Sequence, residues 1–158
     1  MEEARELKLS QGDAAWGDEA FTNDEVTNLV NSGNLYVYRV EGNIAASVLL
    51  ADSDQRMWGE EEGGDGTAVY IHRLYVGNDF RGQQVGSEVV DLAAEQARLR
   101  GKTKLRLDCL YDNPGLCKQY ENMGFGEVRR FDRPRTAADR YPDGDPFRTV
   151  LYERVIAS

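Results

Sequence analysis

Cysteine, histidine and proline are scarce in this chain of 158 residues, which holds two, one and four of them. Cys109 and Cys117, with His72 alone elsewhere, cannot build a standard four-ligand zinc site without carboxylates, so no metal is expected. Cys109 falls in an alternating apolar run and Cys117 in a helical one, and both read as small core residues. Basic side chains are outnumbered, 19 against 28 acidic, for a formal charge of −9. That balance argues against nucleic-acid binding by phosphate neutralisation. It suits a cationic small molecule drawn by the overall field, and equally a charge that simply keeps the protein soluble. No apolar stretch approaches the roughly 20 residues that span a bilayer, so no membrane partner is expected. "MEEARELKLS" has neither the basic start nor the apolar stretch of a signal peptide, and a cytoplasmic location is the expectation.

What is present is ordinary globular material, 41% hydrophobic and 30% charged, enough for one domain over 1–158. "NDEVTNLVNSG" reads as a helix with Val26, Leu29 and Val30 on one face and Gly33 at its end. "NLYVYRVEGNIAASVLLAD" reads as a hairpin turning at Glu41-Gly42-Asn43. The acidic, glycine-rich stretch from Asp52 to Gly66 reads as a mobile loop. "TAVYIHRLYV" is apolar and β-branched, as in a strand at the centre of a sheet. A helix follows with Val85, Val89, Leu92 and Ala93 at helical spacing, closed by Gly101. "KLRLDCL" is a further strand, "NPGLCKQYENMGF" a helix from near Pro114 to Gly124, and "FGEVRRFD" and "FRTVLYERVI" a closing strand pair. The loop between that pair, "RPRTAADRYPDGDP", is too long for idle padding. The pattern predicts an α/β protein of the α+β type, a mixed sheet with helices on its faces and no convincing strand ahead of the first helix.

The informative stretch is "NDFRGQQVGSEVV". A strand, a glycine-bearing turn and a helix start make an anion site, because first-turn N–H groups have no intrahelical partner and face outward with the positive end of the dipole. Gly82 and Gly86 let a ligand approach the backbone, Arg81 adds a charge at the rim, and Ser87 can donate or cap. It is no P-loop, since Gly86 is followed by Ser87 without a lysine. Nor is it a dinucleotide fingerprint, since Gln84 breaks GxGxxG. "RGQQVG" after "IHRLYVGNDF" instead resembles the acetyl-coenzyme A loop of the GNAT N-acetyltransferases, Arg/Gln-x-x-Gly-x-Gly/Ala. Arg81 fills the first position, Gly86 the last, and Gln84 the place of the middle glycine, where a negative φ would still offer its N–H. "NPGLCKQYENMGF" resembles the family's next segment, with Asn113 and Tyr120 at the right spacing, Gly124-Phe125 after them, and Leu116 in place of a small residue.

The resemblance implies a GNAT fold, a splayed mixed sheet opened between "YIHRLYV" and "KLRLDCL", with the first strand missing or supplied by a poor edge strand at Ala4–Ser10. A second copy covering that edge would make a homodimer. Acetyl-CoA would be the cosubstrate. Its pantetheine arm would pair with Leu74, Tyr75 and Val76, its pyrophosphate would sit on Arg81, Gly82, Gln83, Gln84, Val85, Gly86 and Ser87, and Asn113 would also bind the cofactor. The acceptor would be an amine of a small molecule or peptide. Tyr120 would be the acid for the departing thiolate, and a backbone N–H of Leu74 to Val76 the oxyanion donor. His72 lies two residues before Leu74, so strand alternation would put both on one side. An imidazole ordinarily titrates near 6.5, and some members of the family place a basic histidine at this point. A carboxylate between Asp52 and Asp65, or water, is the alternative base. That acidic stretch favours a cationic acceptor, whereas Arg133, Arg135, Arg140 and Tyr141 of the late loop favour an acidic one. Trp16 and Trp58 would wall the acceptor pocket or pack in the core. Two rival readings stay open: a coenzyme A-binding regulatory module without catalysis, and transfer from another donor such as succinyl- or propionyl-CoA.

Overall fold

The computed structural model describes residues 23–139 and 141–156. The poor edge strand expected at Ala4–Ser10, Trp16, and Arg140 of the late loop lie outside them. The elements run α1 (Asn23–Asn31), β1 (Leu35–Val40), β2 (Asn43–Ala51), α2 (Gln55–Gly63), β3 (Ala68–Val76), α3 (Val85–Leu99), β4 (Lys104–Leu110), α4 (Pro114–Asn122), β5 (Gly126–Arg133) and β6 (Phe147–Val155). One six-stranded sheet has the order β1-β2-β3-β4-β6-β5. Only β3 and β4 are parallel neighbours; the other four contacts are antiparallel. The expected α/β architecture with a mixed sheet is therefore the one observed.

Local chemistry accounts for most boundaries. Glu41 and Gly42 both take positive φ, +50° and +84°, the two-residue turn whose twist matches a hairpin. Pro114 begins α4 where its missing N–H costs nothing. Gly101 takes φ +70° just past α3.

The core has two parts, one on each face of the sheet. On the first, Val85, Val89, Val90, Ala93, Ala94 and Ala97 of α3 pack on Ala46, Val48 and Leu50 of β2, Val69 and Ile71 of β3, and Leu105 and Leu107 of β4. Each buried valine there is worth about 1.5 kcal/mol or more. Leu92, expected on this stripe, is half exposed instead and lines a cleft of about 160 Å³ with Val37 and Tyr38. Of the α1 residues expected on one face, Leu29 is half-buried and Val30 is exposed.

The second face overturns the expectation of a mobile loop over 52–66. That stretch forms α2, interrupted at Gly59, whose φ is +82°. Asp54 caps it, its Oδ1 accepting from the Met57 N–H at 3.2 Å. Trp58 drops into a second core with Ala68, Tyr70 and Leu151. A Cβ on Gly63 would come within 2.5 Å of the Asp54 carbonyl oxygen, so the two ends of the segment touch. One tryptophan anchors it, without the repeating apolar stripe that periodicity detects.

Buried Arg106 of β4 ties α2 to the sheet. Its guanidinium donates to Glu153 at 2.8 Å, the Glu62 carbonyl at 2.7 Å, Asp65 at 3.0 Å and the Tyr70 hydroxyl at 2.9 Å. It also stacks 4.8 Å over the Trp58 ring. Burial alone would lower the Arg106 pKa, but the bonds to Glu153, Tyr70 and Asp65 outweigh it and raise it. Arg106→Leu should lower the unfolding free energy by about 3 kcal/mol, because Asp65 loses its counter-charge and Glu153 keeps only Lys104. Urea denaturation measures this, and a loss below about 1 kcal/mol would show that α2 is held by packing alone.

Candidate active site

β3 and β4 pair for only three residues, Ala68 with Lys104, Val69 with Leu105 and Tyr70 with Arg106. Beyond that rung β3 stays bonded to β2 as far as Val76, and β4 to β6 as far as Leu110. The outer edges remain tied while the two inner edges part, leaving a V-shaped opening. A bulge sits in the parting strand. Tyr75 stands opposite Ser47 and His72 opposite Leu49, so Arg73 and Leu74 share the space facing Val48. Arg73 takes φ +52°. A bulge bends its strand and sharpens the twist, which turns β3 away from β4.

The bulge also corrects the expectation that His72 and Leu74 face the same side. Leu74 packs with the α3 core. His72 shares the opposite face with Tyr70, towards α2. Simple alternation fails because one extra residue lies between them.

Past Val76 the chain makes a short 3-10 turn (Asn78–Phe80) and enters α3. Arg81 donates through Nε and Nη2 to the Val76 carbonyl at 3.4 Å, laying its guanidinium along the end of β3. Gln83 donates to the Asp79 carbonyl at 3.0 Å. Gln84 takes φ +64°, ψ 12°, against the negative φ expected, so it adopts the left-handed conformation that a glycine would supply. No side chain caps α3, and the first-turn amides of Val85, Gly86 and Ser87 are presented at the mouth of the V. Gly86 lies against Val76 and Met123, where a Cβ would make ordinary contacts of 3.6–3.7 Å. Asn113 has a structural task, since its Oδ1 accepts from the Leu116 N–H at 3.2 Å and caps α4. Tyr120 is half-buried on the α3 side, with its ring 5.9 Å from Phe125 and 6.4 Å from Tyr152. Cys109 and Cys117 sit in that core with sulfurs 3.8 Å apart.

On the other face Asp54, His72 and Asp108 converge, with one ligand-type atom of each within 4.8 Å of the others. His72 Nε2 lies 3.6 Å from Asp54 Oδ2, and the Asp54 side chain is 9% exposed. Burial pushes the Asp108 carboxyl up, as does Asp54, while His72, Arg133 and Arg56 pull it down. Asp54 belongs to the stretch already suspected of supplying a base. Asp108 escaped notice, although a carboxylate between Leu107 and Cys109 in a buried strand is a signal in itself. The described late-loop arginines, Arg133 and Arg135, are engaged. Arg133 donates twice to Asp139 at 3.1 Å, and Arg135 donates to the Asp145 carbonyl at 2.7 Å. Both stack on Phe147. Arg56 of α2 reaches Asp139 from the opposite side at 3.2 Å, joining the late loop to α2. The Asp139 carboxyl is held well below its usual range by the Arg133 guanidinium and the Thr136 N–H. Tyr141 is half exposed. Trp58 turns out to be core.

The sequence model of the acetyltransferase (GNAT) family matches residues 1–125. The uncharacterized N-acetyltransferase YesJ of Bacillus subtilis is 31% identical over 105 residues, 64% of this chain and 57% of that protein. The match thus spans a little over half the relative's length. Among solved structures, a GNAT-family acetyltransferase from Listeria monocytogenes has a TM-score of 0.70 at 21% identity, covering 98% of this chain and 83% of the other. A GNAT-family acetyltransferase from Elizabethkingia anophelis, with acetyl-CoA bound, has a TM-score of 0.61 at 18% identity, over 85% and 83%.

The turn yields a test. A left-handed non-glycine residue costs about 1 kcal/mol, so Gln84→Gly should raise the unfolding free energy by up to that amount. A residue with ordinary φ would instead lose stability on the same change, and urea denaturation separates the two.

Proposed function

Since the chain belongs to the acetyltransferase (GNAT) family, we propose that it transfers the acetyl group of acetyl-CoA to a primary amine of a small molecule or peptide. The reaction runs by direct attack in a ternary complex, and 1–158 acts as one catalytic domain. The observation that carries this reading is the parting of β3 and β4 beyond Tyr70 and Arg106, with an uncapped helix start at the end of β3. An extended ligand arm fits between inner edges that form no further rung with each other among the described residues. A pyrophosphate fits the amides of Val85 to Ser87, with Arg81 beside them. No residue has to move for that fit, because Gln84 already carries the conformation of the missing glycine.

Acetyl-CoA supplies the acyl thioester; the protein supplies orientation and proton handling. His72 is the base that takes a proton from the incoming ammonium and frees the nitrogen lone pair. A backbone N–H of Leu74 to Val76, turned towards the V, stabilises the charge that develops on the carbonyl oxygen. As the carbon–nitrogen bond forms and the carbon–sulfur bond breaks, the Tyr120 hydroxyl gives its proton to the departing sulfur and regains one, through water, from the second proton that the nitrogen sheds on becoming an amide. The proton held by His72 returns to solvent. Tyr120 and His72 lie on opposite faces of the sheet, one for the leaving group and one for the attacking group.

Calorimetric titration with acetyl-CoA tests the donor half. Micromolar binding is expected, and Arg81→Glu should abolish it. No binding to the wild type would end this reading. Tyr120→Phe should lower kcat by about 10²–10⁴-fold while donor affinity holds, and an unchanged rate would remove Tyr120 from the chemistry.

A further inference from the structure

The two loops that suggest opposite acceptor charges are not equivalent once folded. Late-loop Arg133 and Arg135 are satisfied within the protein: Asp139 takes Arg133, together with Arg56 of α2, and the Asp145 carbonyl takes Arg135. The acidic side is not satisfied. Asp54 Oδ2 is buried and has no hydrogen-bond partner among the described residues; it faces His72 Nε2 at 3.6 Å, longer than a hydrogen bond. Asp108 opposes it on the neighbouring strand across the V. A buried carboxylate oxygen without a donor is costly unless something brings one.

The structure assigns to Asp54 and Asp108 the role of receiving the –NH3+ group of a monocationic alkylamine acceptor beside His72. This rests on the acetyltransferase reading above. With His72 Nε2 3.6 Å from Asp54 Oδ2 and no two of the three atoms beyond 4.8 Å, a nitrogen just out of their plane can stand about 2.8 Å from each, the length of an N⁺–H···O⁻ hydrogen bond. An ammonium brings three donors, one for each carboxylate and one for the imidazole. Charge points the same way. With a neutral imidazole, the three carboxylates of Asp54, Asp108 and Asp139 face the two guanidiniums of Arg56 and Arg133. Those five groups among the described residues sum to one negative charge, which a monocation balances. A docked ammonium already touches His72, so its proton moves a single hydrogen-bond length before attack. Asp54 and Asp108 thereby bind and orient the acceptor, and His72 takes its proton.

His72 is the sole histidine of the chain, so its ring signals in an NMR spectrum need no assignment. The full-length protein, labelled at histidine, is titrated with n-propylammonium chloride to tens of millimolar, with potassium chloride and aniline, neutral at pH 7, as controls. A saturable shift of the His72 ring with propylammonium alone, lost in Asp108→Asn and in Asp54→Asn, is the expected result. Asp54 also caps α2, so Asp108→Asn is the decisive variant, its fold checked by acetyl-CoA calorimetry. With a turned-over alkylamine, Asp108→Asn should raise the acceptor KM about 30-fold or more and leave the donor KM unchanged. No saturable shift, an equal shift with aniline, or broadening by micromolar Mn²⁺ without any ammonium effect would overturn the assignment. Failure of acetyl-CoA to bind the wild type would instead strike the transferase reading, and the His72 titration would still decide the ammonium site.

Discussion

The buried guanidinium of Arg106 is the constraint around which the rest is arranged. Its residue forms the last β3–β4 rung, opposite Tyr70, and its Nη1 bonds the Tyr70 hydroxyl at 2.9 Å. Below this point the sheet is continuous; above it the strands separate. The same group holds Trp58 by its face and the end of α2 by the Glu62 carbonyl. A cation in that position would be prohibitive alone and is tolerated because every direction it faces offers an acceptor or an aromatic ring. The apex of the opening and the placement of Asp54 thus depend on one side chain.

Much of this was legible in the residues. Strands β1 to β6, α1, α3 and α4 follow from apolar spacing and glycine punctuation, and the turn after β3 from the chemistry of orphan amides. What was not legible has physical causes. Gln84 is left-handed because the turn geometry demands it, whatever its own preference. α2 owes its burial to one tryptophan and a guanidinium stacked on it, so no period marks it. His72 and Leu74 part company because a bulge breaks alternation, and the bulged residue is an arginine, with no glycine to announce it. Asp108 was visible as a carboxylate inside an apolar strand but has meaning only beside His72 and Asp54, residues far away in the chain.

The two faces of the sheet divide the labour. The α3 face carries the glycine turn, Tyr120 and most of the aliphatic core, and its polar features suit an anion and a leaving group. The α2 face carries the titratable cluster of Asp54, His72 and Asp108, with Asp139 paired to Arg56 and Arg133 nearby. This asymmetry runs with the net charge of −9, and the two described late-loop arginines are engaged within the protein, Arg133 by Asp139 and Arg135 by the Asp145 carbonyl.

The parted strands also have a consequence for the protein's lifetime. Inner edges that form no further rung with each other among the described residues are docking templates for an extended chain, the feature that natural sheets usually cover or blunt against aggregation. A ligand that lay along them and bound only the folded state would deepen its stability in proportion to the logarithm of ligand concentration. The opening would therefore make the supply of its own ligand a determinant of how long each molecule stays folded.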